Sequence, residues 1–266
     1  MTDQSASQVS LLSSIAAILQ AVAWPTVIAL SLVIYRSRIG LLLDVLTKKL
    51  STATKVKAWQ LELETTEQEI NDVVIKTGET AGGEGLTRKI PENQLKAARE
   101  VNQKLLESPL SAQRALGVVQ KQISSLVEEY EQVRSEIPRG HMRTRAMNEV
   151  AAKMRSLSLA ARSLLRPLMS GRTAGERLTA ICILQVAPEF GYFPWLIERI
   201  KNEDQPFVFY QAAVAILELV KARMYPEGTR IKAEIEEALY HISGFKGGPP
   251  DQNTIDVLNE ALSLVR

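Results

Sequence analysis

Leu116-Gly-Val-Val-Gln-Lys-Gln-Ile-Ser-Ser-Leu-Val-Glu-Glu-Tyr-Glu-Gln-Val-Arg-Ser-Glu-Ile137 decides the fold class. Its apolar residues Leu116, Val119, Ile123, Leu126, Tyr130, Val133 and Ile137 alternate steps of three and four, the period of one helix face. Pro138-Arg139-Gly140 stops the run, since proline cannot donate to a helical ladder. A second run with the same steps follows at Met147, Val150, Met154, Leu157, Ala161, Leu164 and Leu168. Two such helices across a short turn predict an antiparallel hairpin. Leu95, Ala98, Leu105 and Leu106, ahead of Ser108-Pro109, predict a shorter helix beside it. About three heptads is the lower limit for a coiled coil. A bundle within one chain is therefore the expectation, with the seam open to homo-oligomer formation.

Downstream, Ala180-Ile-Cys-Ile-Leu184 and Ala213-Val-Ala-Ile-Leu217 recur 33 residues apart. A proline-containing turn and a second helix follow each: Pro188 with residues 193–200, and Tyr225-Pro226 with residues 231–242. Helix pairs at this period predict an α-solenoid, in which each pair buries its face against the next. A terminal helix over 254–265, after Lys246-Gly-Gly-Pro-Pro250, would cap the stack.

Upstream, no charged side chain occurs between Asp3 and Arg36, and residues 15–35 are almost wholly apolar. As a helix they span about 31 Å, one bilayer core. The segment lacks the positive n-region of a signal peptide, so it is read as a retained transmembrane helix. Arg36, Arg38, Lys48, Lys49, Lys55 and Lys57 follow it against Asp44 alone, and no basic residue precedes it. Basic flanks stay cytoplasmic. The expectation is a single-pass inner-membrane protein with its N-terminus outside. The single cysteine, Cys182, agrees with a reducing compartment. Residues 39–50 read either as an amphipathic helix on the headgroups, with Arg36, Arg38, Lys48 and Lys49 as membrane-surface contacts, or as a continuation of the span. Trp59 to Glu64 alternates apolar and polar, a strand signal or a helix end. Thr66 with Glu69 resembles a capping box opening a helix to about Lys76. The Gly-rich run at 77–85 predicts a linker without the lysine of a phosphate loop.

Chemistry-bearing residues are sparse. His141 and His241 stand without further ligands, and Glu237 with His241 reads as a helix-face pair. Cys182 reads as a small buried residue. No catalytic, metal or cofactor residue is assigned. Residues 143–177 hold eight basic side chains against Glu149 and Glu176. Arg155, Arg162 and Arg166 share a face at the helical period and form the candidate site for an anion or an acidic partner. The whole-chain charge of +2 argues against a general nucleic-acid binder.

From Gly175-Glu-Arg-Leu178 through the helix ending at Leu217, the sequence resembles HEAT-type repeats, with Phe209 where that family often has Arg. Trp24-Pro25, the basic flank and the Gly-Glu-Arg-Leu segment resemble single-pass bacterial membrane proteins and the helical tails of bacterial conflict-system proteins. The resemblance implies a scaffold or sensor at the membrane, in defence. The expected plan is all-α: tail 1–14, transmembrane helix 15–35, juxtamembrane region 36–76, linker 77–91, helical hairpin or bundle 92–170, HEAT-like repeats 171–266. Function is expected to be that of a membrane-anchored adaptor or sensor binding a protein partner. The alternative is an oligomerising effector that opens a pore, raised by Gln20, Pro25 and Ser31 within the span.

Overall fold

Helical periodicity, carried almost without interruption, governs what the chain builds. The computed structural model describes residues 62–81, 86, 88–223, 226, 230–244 and 251–265, and no strand occurs among them. The span at 15–35, Arg36, Arg38, Lys48, Lys49 and the amphipathic stretch at 39–50 lie outside the described residues. Among those described, no helix is long and apolar enough to cross a membrane.

Helix α1 covers residues 62–81. Thr66, Ile70, Val74, Thr77 and Ala81 are buried along it, at steps of three and four. That period decides one reading and corrects another. Residues 62–64 are helical, the helix-end alternative for this stretch, because a six-residue alternation cannot compete with a helical face that runs on behind it. Thr66 is an interior residue, not a cap: its hydroxyl donates to the Glu62 carbonyl at 2.9 Å. The helix also runs into the expected linker. Gly78 is buried there, and a Cβ on it would fall 2.6 Å from Lys153 Cε. It is a packing glycine, where α1 crosses a lysine stem. Glu69 pairs with Lys104 at 3.2 Å and Glu67 with Lys121 at 2.5 Å, tying α1 to the next two helices.

Those are α2 (Glu92–Glu107) and α3 (Ala112–Glu136). The chain then turns at Gly140, whose φ of 148° lies in the region that favours glycine, into α4 (His141–Leu157). Helices α3 and α4 form a hairpin, with Lys153 Nζ 2.6 Å from Glu129 Oε1 across it. The second apolar run does not stay one helix. It breaks after Leu157 into a turn, a 3-10 segment (Arg162–Leu164) and the short α5 (Leu165–Met169). Pro167 falls in the first turn of α5, where a missing N–H costs no helical bond, so it is compatible with the new helix that starts there.

The C-terminal half contains α6 (Ala174–Val186), α7 (Phe193–Asn202), α8 (Pro206–Lys221), α9 (Ile231–Ser243) and α10 (Gln252–Leu264). Thr173 and Glu176 close a reciprocal capping box on α6. Glu131 of α3 adds a bond from the Gly175 amide at 2.8 Å. Helix α8 is buried from Phe207 to Leu217 without a break, the mark of a central helix. It packs against α6, α7 and α10, while α9 covers α7 and α10. Arg177 grips Glu203 through two bonds of 2.8 and 3.0 Å, fastening α6 to the turn before α8. That carboxylate is 1% exposed while the arginine is half-buried, so the pair is bidentate with its acidic end buried.

Helices α3 and α6 touch at Gly175, where a Cβ would sit 3.1 Å from the Val127 carbonyl oxygen. Gly175→Leu is expected to lower stability by about 2 kcal/mol through overpacking. Denaturant unfolding of the full-length chain checks this, and an unchanged midpoint contradicts the close contact.

Candidate functional site

The three arginines assigned to one basic face separate in space. Arg155 lies on α4 and points inward, 4% exposed. Arg162 and Arg166 follow the break at Leu157, so the helical period no longer relates them to Arg155. Both turn toward one neighbouring segment. Arg162 pairs with Glu189 at 3.1 Å, and Arg166 bonds the Tyr192 hydroxyl, which raises its pKa together with the Glu189 charge. The shared face is thus corrected. One of its members is core, and the other two are exposed and engaged by residues 189–192. His241 likewise loses its expected partner, for Glu237 pairs with Lys201 at 2.6 Å.

The buried guanidinium organises four helices. Arg155 Nε donates to Gln185 Oε1 at 2.6 Å, Nη1 to Gln94 Oε1 at 2.9 Å and Nη2 to Gln211 Oε1 at 2.6 Å. Gln185 Nε2 donates in turn to the Gln211 carbonyl at 2.8 Å. Helices α2, α4, α6 and α8 therefore meet on one cation held by neutral amide oxygens. Burial pulls the Arg155 pKa down, opposed by the nearby Cys182 thiol and Tyr210 phenol. A charge so enclosed is a structural tie and not a ligand contact. Periodicity does not place it inside, because Arg155 lies about 100° round the helix from Met154, off the line of Met147, Val150, Met154 and Leu157.

A second feature has access to ligands. The α3–α4 turn, the α7–α8 turn and the start of α10 surround a cavity of about 540 Å³, within the range of small-molecule sites. Tyr130, Phe207, Tyr210 and Met147 supply its apolar wall. Tyr130 is fully buried, and its ring centroid lies 6.2 Å from that of Phe207. The Tyr130 hydroxyl has no hydrogen-bond partner. Burial pushes its pKa well above the ordinary phenol value, while the Arg134 and Arg143 charges pull the other way. Arg139 and Arg143 line the cavity at the start of α4, which has no side-chain cap. Asp204 and Asp251 line the cavity as well. Asp251 is engaged locally, accepting from the Asn253 amide at 3.2 Å and from Thr254 Oγ1.

Sequence reasoning missed this cavity. Its walls come from residues 130–147, 204–210 and 251–253, joined only by folding, and no spacing along the chain announces them. Among the described residues, no cluster of three or more His, Cys, Asp and Glu side chains is placed to hold a metal ion.

Cys182 lies against this core, buried, its Sγ 3.7 Å from the Ala151 carbonyl. Burial pushes its pKa from 9.0 to about 11, with Arg155 opposing. The unfolded thiol ionises first, so the stability this residue contributes is complete below pH 9 and lost as pH rises to about 11. Across that window the loss runs at about 1.4 kcal/mol per pH unit. Comparing wild type with Cys182→Ala by denaturant unfolding at pH 8 and pH 11 isolates the residue. The gap between them is expected to shift with pH in the variant's favour, and a constant gap contradicts the burial. Comparison with protein-family models, curated proteins and solved structures gave no match to this chain.

Proposed function

We propose that the chain is a membrane-anchored helical sensor or adaptor that binds a protein partner, in the setting of bacterial defence. Residues 15–35 anchor it, and residues 36–266 work in the cytoplasm. The cavity carries the sensing part of this reading: an open, largely apolar space with both basic and acidic lining residues, where residues 130–147, 204–210 and 251–253 meet beside Leu86. A ligand or partner segment seated there would touch α3, α4, α8 and α10 together, so its binding would bias how the halves of the domain pack.

The HEAT-like reading of the C-terminal half belongs to the same proposal. Its support is the contact pattern: α6 against α8 and α7 against α9, first helix on first and second on second. Stacked helix pairs make such contacts between repeats; within a pair, α6 with α7 and α8 with α9, the contact is slight, while α7 also packs on α8 and α10 covers α8 and α9. The anchor is supported by the uncharged stretch and by the six basic residues that follow it.

A reporter active only outside the cytoplasm, fused after Arg266, is expected to stay silent. Strong activity would reverse the orientation. Cross-linking of the full-length chain in its own membrane is expected to recover a defined protein partner. Two results contradict the adaptor reading: specific turnover of a nucleotide, peptide or nucleic acid by the purified chain, or dye leakage from vesicles that carry it. The leakage result assigns the chain to pore formation.

A further inference from the structure

We infer that the cavity between the α3–α4 turn and the starts of α8 and α10 binds a small planar aromatic anion, its ring against Phe207 and Tyr210 and its acid group at Arg139, Arg143 and the first turn of α4. The inference rests on the sensor reading above and names the ligand class for the same site.

Three observations converge. First, the cavity has room for one small molecule, at about 540 Å³, and its wall of Tyr130, Phe207, Tyr210 and Met147 suits a flat ring. Second, its lining carries a basic cluster. Arg139 and Arg143 flank the N-terminal turn of α4, where Gly140 offers no side chain to cap the free amides. Uncapped amides and two guanidinium groups favour an oxyanion, and the 17-residue helix adds its dipole in the same sense. Asp204 and Asp251 also line the cavity and offer acceptors for a ring N–H.

Third, Tyr130 points to something missing. Its side chain lines the cavity and is fully buried, yet the hydroxyl has no partner among the protein's own groups. Buried hydroxyls are almost always bonded, because leaving one unpaired is costly. Arg143 lines the same cavity as this phenol. A carboxylate or phosphate oxygen held by Arg143 is the acceptor that would satisfy it.

Carboxylates and phosphates share this chemistry, so the test has an arm for each. Calorimetric titration of the full-length chain in detergent uses three probes: a nucleoside monophosphate, an indole carboxylate and inorganic phosphate. At least one aryl probe is expected to bind more tightly than inorganic phosphate, and whichever does identifies the acid group. Arg143→Gln is expected to weaken that binding at least tenfold. Tyr130→Phe should weaken it several-fold while leaving the ligand-free chain as stable as wild type or more so, since it removes an unpaired hydroxyl. That last combination is one a purely structural tyrosine would not give. The inference is overturned if neither aryl probe binds, if phosphate alone binds as well, if Arg143→Gln leaves affinity unchanged, or if Tyr130→Phe destabilises the ligand-free chain. Partner capture and topology are measured independently of these titrations, so the ligand class can fail while the tethered sensor stands.

Discussion

One buried cation sets the terms on which the helices of this domain assemble. Arg155 sits in the core, and its guanidinium reaches Gln94, Gln185 and Gln211 on three other helices. An isolated charge in such a place is prohibitive, and one whose partners are removed costs about 3–5 kcal/mol. The three amide oxygens must therefore arrive together. A slip of one residue in α2, α6 or α8 would turn its glutamine off the cation and replace a bond with a desolvated charge. Apolar packing alone would tolerate several registers of such helices. The polar centre discriminates among them.

The cavity depends on the same arrangement. Gln211, which binds Arg155, follows Tyr210, which lines the cavity, on α8. Met147 lies on α4 about two turns ahead of Arg155 and lines the cavity as well. The bond from the last turn of α4 to Gln211, one residue past Tyr210 on α8, thus helps to set the gap that Met147 and Tyr210 line. Arg177 with Glu203, and Glu131 with the Gly175 amide, hold the adjoining turn and the base of α3 in the same way. A rigid polar frame beside an open apolar pocket is a sound basis for a binding site, since the groups that contact a ligand are positioned before it arrives.

Much of the helical scaffold could be read from the sequence, and its chemistry could not. The steps of three and four from Leu116 to Ile137 describe α3, and the repeated Ala-x-x-Ile-Leu cores lie within α6 and α8. Periodicity is a local signal, and helices are local structures. The same signal misleads where the chain leaves the helix without losing the apolar spacing. The run from Met147 to Leu168 continues in period past the break after Leu157, and the grouping of Arg155 with Arg162 and Arg166 crosses that break. At the other end, three apolar residues between 59 and 64 suggested a strand where a longer helical face takes residues 62–64. The glutamine cluster and the cavity were beyond sequence reading for a different reason. Each joins side chains from separate helices, and only the packing brings them together.

Arg155 is a common tie of four helices, and native-state hydrogen exchange tests that directly. In the wild-type chain, the slowest amides of α2, α4, α6 and α8 are expected to share one opening free energy, as members of a single cooperative unit. Arg155→Met should lower protection in all four helices by the same amount, about 3 kcal/mol or more, because three buried glutamine oxygens lose their donor at once and each unsatisfied acceptor costs about 1–3 kcal/mol. Protection lost in α4 alone, with α2, α6 and α8 unchanged, would show that each helix is held by its own apolar contacts and would contradict the central claim.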